Sequence, residues 1–137
     1  MKILIAADME GVTGVVHWDQ VDAQHPEYQR FRKLMTGDVN AAIRGAFDGG
    51  ADEIVVADGH GSGRNILIEE LDARARLNSG SPSPLSMVQG AQGGVSAAMF
   101  VGYHPTMLSV PPPVRLCSTT ESAGPCGPTS VTRRSPM

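Results

Sequence analysis

Aromatic residues are scarce in this 137-residue chain: three Phe, two Tyr and one Trp, 4% in all. A core here has to be built from Val, Ile, Leu, Ala and Met. Cysteine is nearly absent too. Cys117 and Cys126 make neither a CxxC pair nor a disulfide framework. Positive charge is not in excess, because 11 Lys and Arg face 14 Asp and Glu for a net charge of −3. That excludes the broad basic face of a nucleic-acid binder. Long apolar runs are missing as well; none approaches the roughly 20 residues of a membrane span. The opening Met1-Lys2-Ile3-Leu4-Ile5 is short and has no small-residue cleavage site, so it reads as a strand and not a signal peptide. These absences predict a cytoplasmic protein with no membrane and no nucleic-acid partner.

What is present divides at residue 104. Residues 1–104 alternate apolar runs with helical patterns. Residues 105–137 hold seven of the ten prolines, both cysteines and no aromatic. Pro111-Pro112-Pro113 is incompatible with a central strand or a helix interior. Composition marks 105–137 as an irregular or disordered Pro-rich tail. It is either a natural linker or extension, or the frame-shifted end of a truncated gene product.

Within 1–104 the expected fold is α/β. Lys2 to Ala7 is apolar on both faces, as in a buried parallel strand. Residues 8–25 form a loop. From Pro26, residues Phe31, Leu34, Met35, Val39, Ala42, Ile43, Ala46 and Phe47 recur at helical steps, and Gly49-Gly50 ends the helix. Glu53 to Ala57 is a second buried strand. Strand, helix, strand is a βαβ unit, so an open, mainly parallel sheet with flanking helices follows. Asn65 is expected to cap a short helix through Leu71. A short strand is expected over Ala75 to Asn78 and a short helix over Leu85 to Gln92. Ser96 to Tyr103 reads as a third buried strand.

Each of the three convincing strands is followed by possible metal ligands. Asp8 and Glu10 follow the first, Asp58 and His60 the second, His104 the third. Open parallel sheets bind ligands at the carboxyl edge, so these residues converge whatever their separation in sequence. Asp8 and Glu10, two apart, lie on one side of an extended backbone. Two close carboxylates repel unless a cation lies between them. Two imidazoles complete a mixed oxygen and nitrogen set for zinc, or for two bridged divalent ions. Such a site activates water and polarises a carbonyl, the chemistry of hydrolysis. Asp58 is expected to orient an imidazole from behind. Taken singly, each residue has a plainer explanation as a turn former, a solvated loop residue or a cap. Their joint placement favours the metal reading. His17 and His25 read as solvated.

At Ala7-Asp8-Met9-Glu10-Gly11-Val12-Thr13-Gly14 the chain resembles the zinc D-aminopeptidases associated with dipeptide-transport operons, the DppA type. Val56 to Gly61, Met87 to Gly90 and Phe100 to His104 fit the same family, as do Leu34-Met35-Thr36 and Asn78-Ser79-Gly80. The match runs in order from residue 1 to 104. It implies a two-zinc hydrolase removing N-terminal D-residues from short peptides. Asp8, Glu10, His60 and His104 would be the ligands, with Asp8 bridging. It also implies a ring-shaped homo-oligomer with its sites facing an internal channel. The departure follows residue 104. The family adds a further metal-binding Glu and a His acting as nucleophile or base, yet 105–137 contains no His, only Glu121 in an unlike context, and Arg115 near the expected His. The catalytic residue is therefore unassigned and the second zinc site incomplete. Shifting the frame back one nucleotide permits Leu, Asp, His and an aliphatic residue around positions 117–122, which the gene's nucleotides over codons 104–123 decide.

Two other readings remain. One is a non-catalytic metal- or peptide-binding remnant. The other is a phosphate- or nucleotide-binding α/β domain built on the glycine-rich loop Asp58-Gly59-His60-Gly61-Ser62-Gly63. That loop does not fit GxGxxG and has no P-loop lysine.

Overall fold

The computed structural model describes residues 1–104. The readings made for 105–137 lie outside the described residues. The βαβ unit consists of β1 (Lys2–Ala7), α1 (Tyr28–Asp48) and β2 (Glu53–Asp58). Two further strands, β3 (Arg76–Asn78) and β4 (Ala97–Val101), complete a four-stranded sheet of order β3-β2-β1-β4. All three neighbouring pairs are parallel. The ends of the central strands are level, with Ala7 paired to Asp58 on one side and Val101 on the other. The chain therefore leaves β1, β2 and β4 at one height, along one edge.

Strand alternation sends Ile3, Ile5 and Ala7 to one face, joined there by Ile54 and Val56. α1 lays Phe31, Met35, Val39 and Ile43 against that face. The opposite face carries Leu4, Val55 and Ala57, packed by Ala91 and Val95. Both faces of β1 and β2 are thus covered, which explains their unbroken apolar sequence. Burying each large side chain contributes about 1.5–3 kcal/mol, so the helix stripe is a main source of stability. Gly49 and Gly50 end α1 as expected; Gly50 takes φ +91°, which favours glycine.

Four expectations are corrected. β4 is shorter than Ser96 to Tyr103, and among the described residues nothing buries most of it. Ala97, Ala98 and Phe100 are exposed and only Val101 is fully inside. An apolar run does not reveal whether a layer covers it, and β4 lies outermost, paired only with β1 among the described residues. Residues 65–71 form turns and not a helix, because the Asn65 side chain points inward to Asp58 and His60. The helix expected over 85–92 is two 3-10 turns, Ser86–Val88 and Ala91–Gly93, interrupted by Gly90 at φ +104°. The loop over 8–25 contains a 3-10 turn, Trp18–Gln20. Among the described residues no helix is long and apolar enough to cross a membrane.

Candidate metal centre

Chain progression reverses at β1. β2 and β3 lie to one side of it, and β4 returns to the other. Such a switch point leaves a crevice outside the strand ends. Asp8 and Glu10 enter it from β1, and the segment Gly102 to His104 enters it from β4.

Two glycines let these segments touch through their backbones. The Asp8 amide donates to Val101 O at 2.8 Å, and the Gly11 amide donates to Gly102 O at 2.7 Å. A Cβ on Gly11 would stand 2.4 Å from Tyr103 O, and one on Gly102 would stand 2.1 Å from Asp8 O. Gly102 also has φ +71°. No other residue type fits there without moving the strand ends.

The result is a close cluster. Asp8, Glu10 and His104 each present a ligand atom, all within 4.8 Å of one another. His60 reaches the same carboxylates from β2. Its Nδ1 lies 3.1 Å from Glu10 Oε2 and 3.3 Å from Asp8 Oδ1. Its Nε2 lies 3.0 Å from Val21 O. The imidazole is thus anchored at one nitrogen and faces the acids with the other, as ligand histidines usually are. Asp8, Glu10 and His104, with Asp8 buried, form a donor set that fits zinc, and His60 lies against its two carboxylates.

The electrostatics are those of a clamped pair. The Asp8 hydrogen bond raises the His60 pKa to about 9 against the opposing effect of burial; Val21 O and the two acidic charges add to the rise. Burial pushes Asp8 up, but its bonds with His60, Glu10 and the Met9 amide outweigh that and hold it below the usual carboxylate value. Burial, and then the charge of Asp8, push Tyr103 up to about 12. Its hydroxyl is buried and has no hydrogen-bond partner among the described residues. It remains a neutral donor beside the cluster.

A pH prediction follows for the metal-free protein. His60 has a folded pKa above its ordinary 6.5, so its contribution is fully present below pH 6.5 and is lost as pH rises through 9. Asp8 works in the opposite sense; its contribution holds above 3.8 and falls away below it. Allowing for solvent screening, the His60 share is about 1–2 kcal/mol. Chelator-treated protein should therefore melt several degrees lower at pH 10 than at pH 6, and His60→Gln should flatten that difference. Equal melting temperatures at both pH values rule out a stabilising clamp.

Asp58 reaches the site through Asn65. Its carboxylate accepts from the amides of Asn65 (2.6 Å) and Ile66 (2.9 Å) and from Asn65 Nδ2 (2.7 Å). It acts on His60 at one remove, since Asn65 Nδ2 also donates to His60 O at 2.6 Å. In sequence Asn65 looks like a cap, because an inward-turned Asn carries no separate signature there. Val21 O had none either, being a backbone acceptor. His17 and His25 turn toward Asp19 and are at least partly exposed, as read. The glycine-rich loop leads into turns, so no helix N-terminus follows it to receive a phosphate.

A sequence profile described as D-aminopeptidase matches residues 1–111. The chain belongs to the D-aminopeptidase family. It is 38% identical over 104 residues to a D-aminopeptidase of Bacillus subtilis (strain 168), covering 76% of this chain and 38% of that protein. It also resembles the solved structure of the Zn-dependent D-aminopeptidase DppA from Bacillus subtilis, a self-compartmentalizing protease. The TM-score is 0.74 at 38% identity, over 76% of this chain and 38% of the other. The chain thus spans well under half the length of these relatives. The expected α/β architecture and family hold, and the relatives are hydrolases. With no helix after the glycine-rich loop, the nucleotide-binding reading loses the helix terminus that would receive a phosphate.

Proposed function

We propose that this chain carries the metal-binding part of a zinc-dependent aminopeptidase that releases N-terminal D-amino acids from short peptides. The observation that carries the reading is the convergence of Asp8, Glu10 and His104 within 4.8 Å, from strand ends about a hundred residues apart in sequence. Asp8, Glu10, His60 and His104 would hold the metal. Zinc bound there supplies an activated water and a Lewis acid for the peptide carbonyl. The chain's own residues do the rest. His60 keeps Nε2 on Val21 O and so holds its ring in place. Tyr103 offers a neutral O–H beside Asp8. A ring-shaped homo-oligomer would restrict access to small peptides, in keeping with the self-compartmentalizing relative.

A second reading is a metal-binding segment without turnover. Among the described residues, both imidazoles at the cluster are already candidate ligands, which leaves His17 and His25 as the other imidazoles. Zinc titration by calorimetry, with D-Ala-D-Ala hydrolysis, separates the two. Zinc uptake with chelator-sensitive turnover supports the peptidase; uptake without turnover supports the binding segment. Asp8→Asn should weaken zinc more than tenfold, about 1.4 kcal/mol. No zinc uptake by the unsubstituted protein sinks both readings.

A further inference from the structure

We propose that Tyr28 of α1 is a positioning residue for the metal centre: its hydroxyl holds the Asn65 side chain, and that side chain holds the backbone of His60. This rests on the metal reading above. His60 lies between Gly59 and Gly61, and Gly61 takes φ +51°, so the backbone around it is intrinsically loose. The His60 carbonyl accepts from the Gly63 amide at 2.9 Å and from Asn65 Nδ2 at 2.6 Å. The first bond stays within the glycine-rich loop. The second leads on to α1.

α1 carries a polar stripe beside its core stripe. Arg32, Thr36 and Asn40 each follow directly on a core residue, and Tyr28 stands one turn earlier. Four-residue steps put all four on one side of the helix. Each reaches the turns that follow the glycine-rich loop. The Tyr28 hydroxyl donates to Asn65 Oδ1, and Arg32 Nε donates to Asn65 O at 2.8 Å. The Thr36 hydroxyl accepts from the Leu67 amide at 3.0 Å. Asn40 binds Glu70 O at 2.7 Å and the Asp72 amide at 2.8 Å. Residues 65–71 form no helix, and these side chains take up backbone groups that a helix would have paired.

Only the first of these ties fixes the Asn65 amide. An Asn side chain has one acceptor oxygen and two N–H donors. Tyr28 takes the oxygen, while Asp58 Oδ1 and His60 O take the donors at 2.7 and 2.6 Å. Tyr28 and Asn65 are both buried, so loss of the hydroxyl leaves Asn65 Oδ1 without its donor. Burial pushes the Tyr28 pKa above its ordinary 10, which keeps the hydroxyl a protonated donor. The Arg32 guanidinium lies over the Tyr28 ring, 5.7 Å from its centroid, and so braces the ring as well as the Asn65 carbonyl.

The test compares Tyr28→Phe with Thr36→Val in the full chain. Each deletes one hydroxyl that α1 uses on the same segment, but Thr36 ends on Leu67, past Asn65. Outer partners of a metal-binding histidine change metal affinity by about 10–100-fold, so a tie one bond further out should change it at least about fivefold. Calorimetry is expected to show that loss of zinc affinity in Tyr28→Phe and a change below twofold in Thr36→Val, with both variants melting cooperatively. In the metal-free protein, NMR should show faster hydrogen exchange at Asn65 Nδ2 in Tyr28→Phe and unchanged exchange there in Thr36→Val. A smaller zinc effect in Tyr28→Phe overturns the proposal and leaves the metal reading standing. So do equal zinc losses in the two variants, which mark general loosening of the fold, and so does Asn65 Nδ2 exchange that Tyr28→Phe does not change. No zinc uptake by the unsubstituted protein removes the metal reading and the proposal together.

Discussion

Gly102→Ala is expected to lower the melting temperature by more than about 10 °C and to weaken zinc binding at least tenfold. Two costs combine. At φ +71° an L-residue is strained by about 1–2 kcal/mol. Its Cβ would also stand 2.1 Å from Asp8 O, 2.9 Å from Val12 Cγ2 and 3.1 Å from Asp8 C. The first and last of these are backbone atoms at the end of a buried strand, so no flexible side chain can yield. Forced displacement in packed surroundings adds about 1–3 kcal/mol. The total of about 2–5 kcal/mol, at roughly 4–8 °C per kcal/mol for a domain of this size, corresponds to the stated shift. Zinc affinity falls with it, because the clash moves Asp8 and His104 apart. Gly37→Ala is the control. Gly37 lies in α1 with open space where its Cβ would go, so the same substitution there should leave stability unchanged or raise it. If Gly102→Ala melts within 2 °C of the unsubstituted protein, the close approach of the two segments does not set the site.

Much of this site was legible in residues 1–104 because of how parallel sheets are built. β1 and β2 are covered on both faces and read as unbroken apolar runs, while α1 has one covered stripe and reads at helical steps. Those patterns locate the strand ends, and the strand ends locate Asp8, Glu10, His60 and His104. Strand order was not legible, because pairing is non-local and leaves no mark in a run such as Ala97–Val101. That order places β4 beside β1, and so places His104 within 4.8 Å of both carboxylates. It also leaves Phe100 exposed. The inward turn of Asn65 was hidden for a different reason. An Asn after a glycine-rich loop looks the same whether its side chain caps a helix or ties a loop to a buried carboxylate.

That tie gives the second large effect. Asp58→Ala is expected to cost about 3–5 kcal/mol and to release His60. Asp58 is 7% exposed and accepts three hydrogen bonds, from the amides of Asn65 and Ile66 and from Asn65 Nδ2. Alanine leaves the Asn65 and Ile66 amides without that acceptor, at about 1–3 kcal/mol each before relaxation, while Asn65 Nδ2 keeps His60 O. Asn65 is also held by the Tyr28 hydroxyl at its Oδ1 and by Arg32 Nε at its carbonyl. It therefore keeps its place in part, and the loss falls short of the full sum. What it gives up is the fixed direction of Nδ2 toward His60 O. The imidazole then lies less firmly between Asp8 and Glu10, and its pKa should drop from about 9 toward the ordinary 6.5. An NMR titration of the His60 ring reads that fall directly, and a merely structural defect elsewhere in the loop would not produce it. Asp58→Asn preserves the volume and one acceptor oxygen, so it should show a smaller loss of stability and an intermediate His60 titration. A His60 midpoint that stays near 9 in Asp58→Ala, in protein that remains folded, means that Asp58 supports the loop without positioning the imidazole.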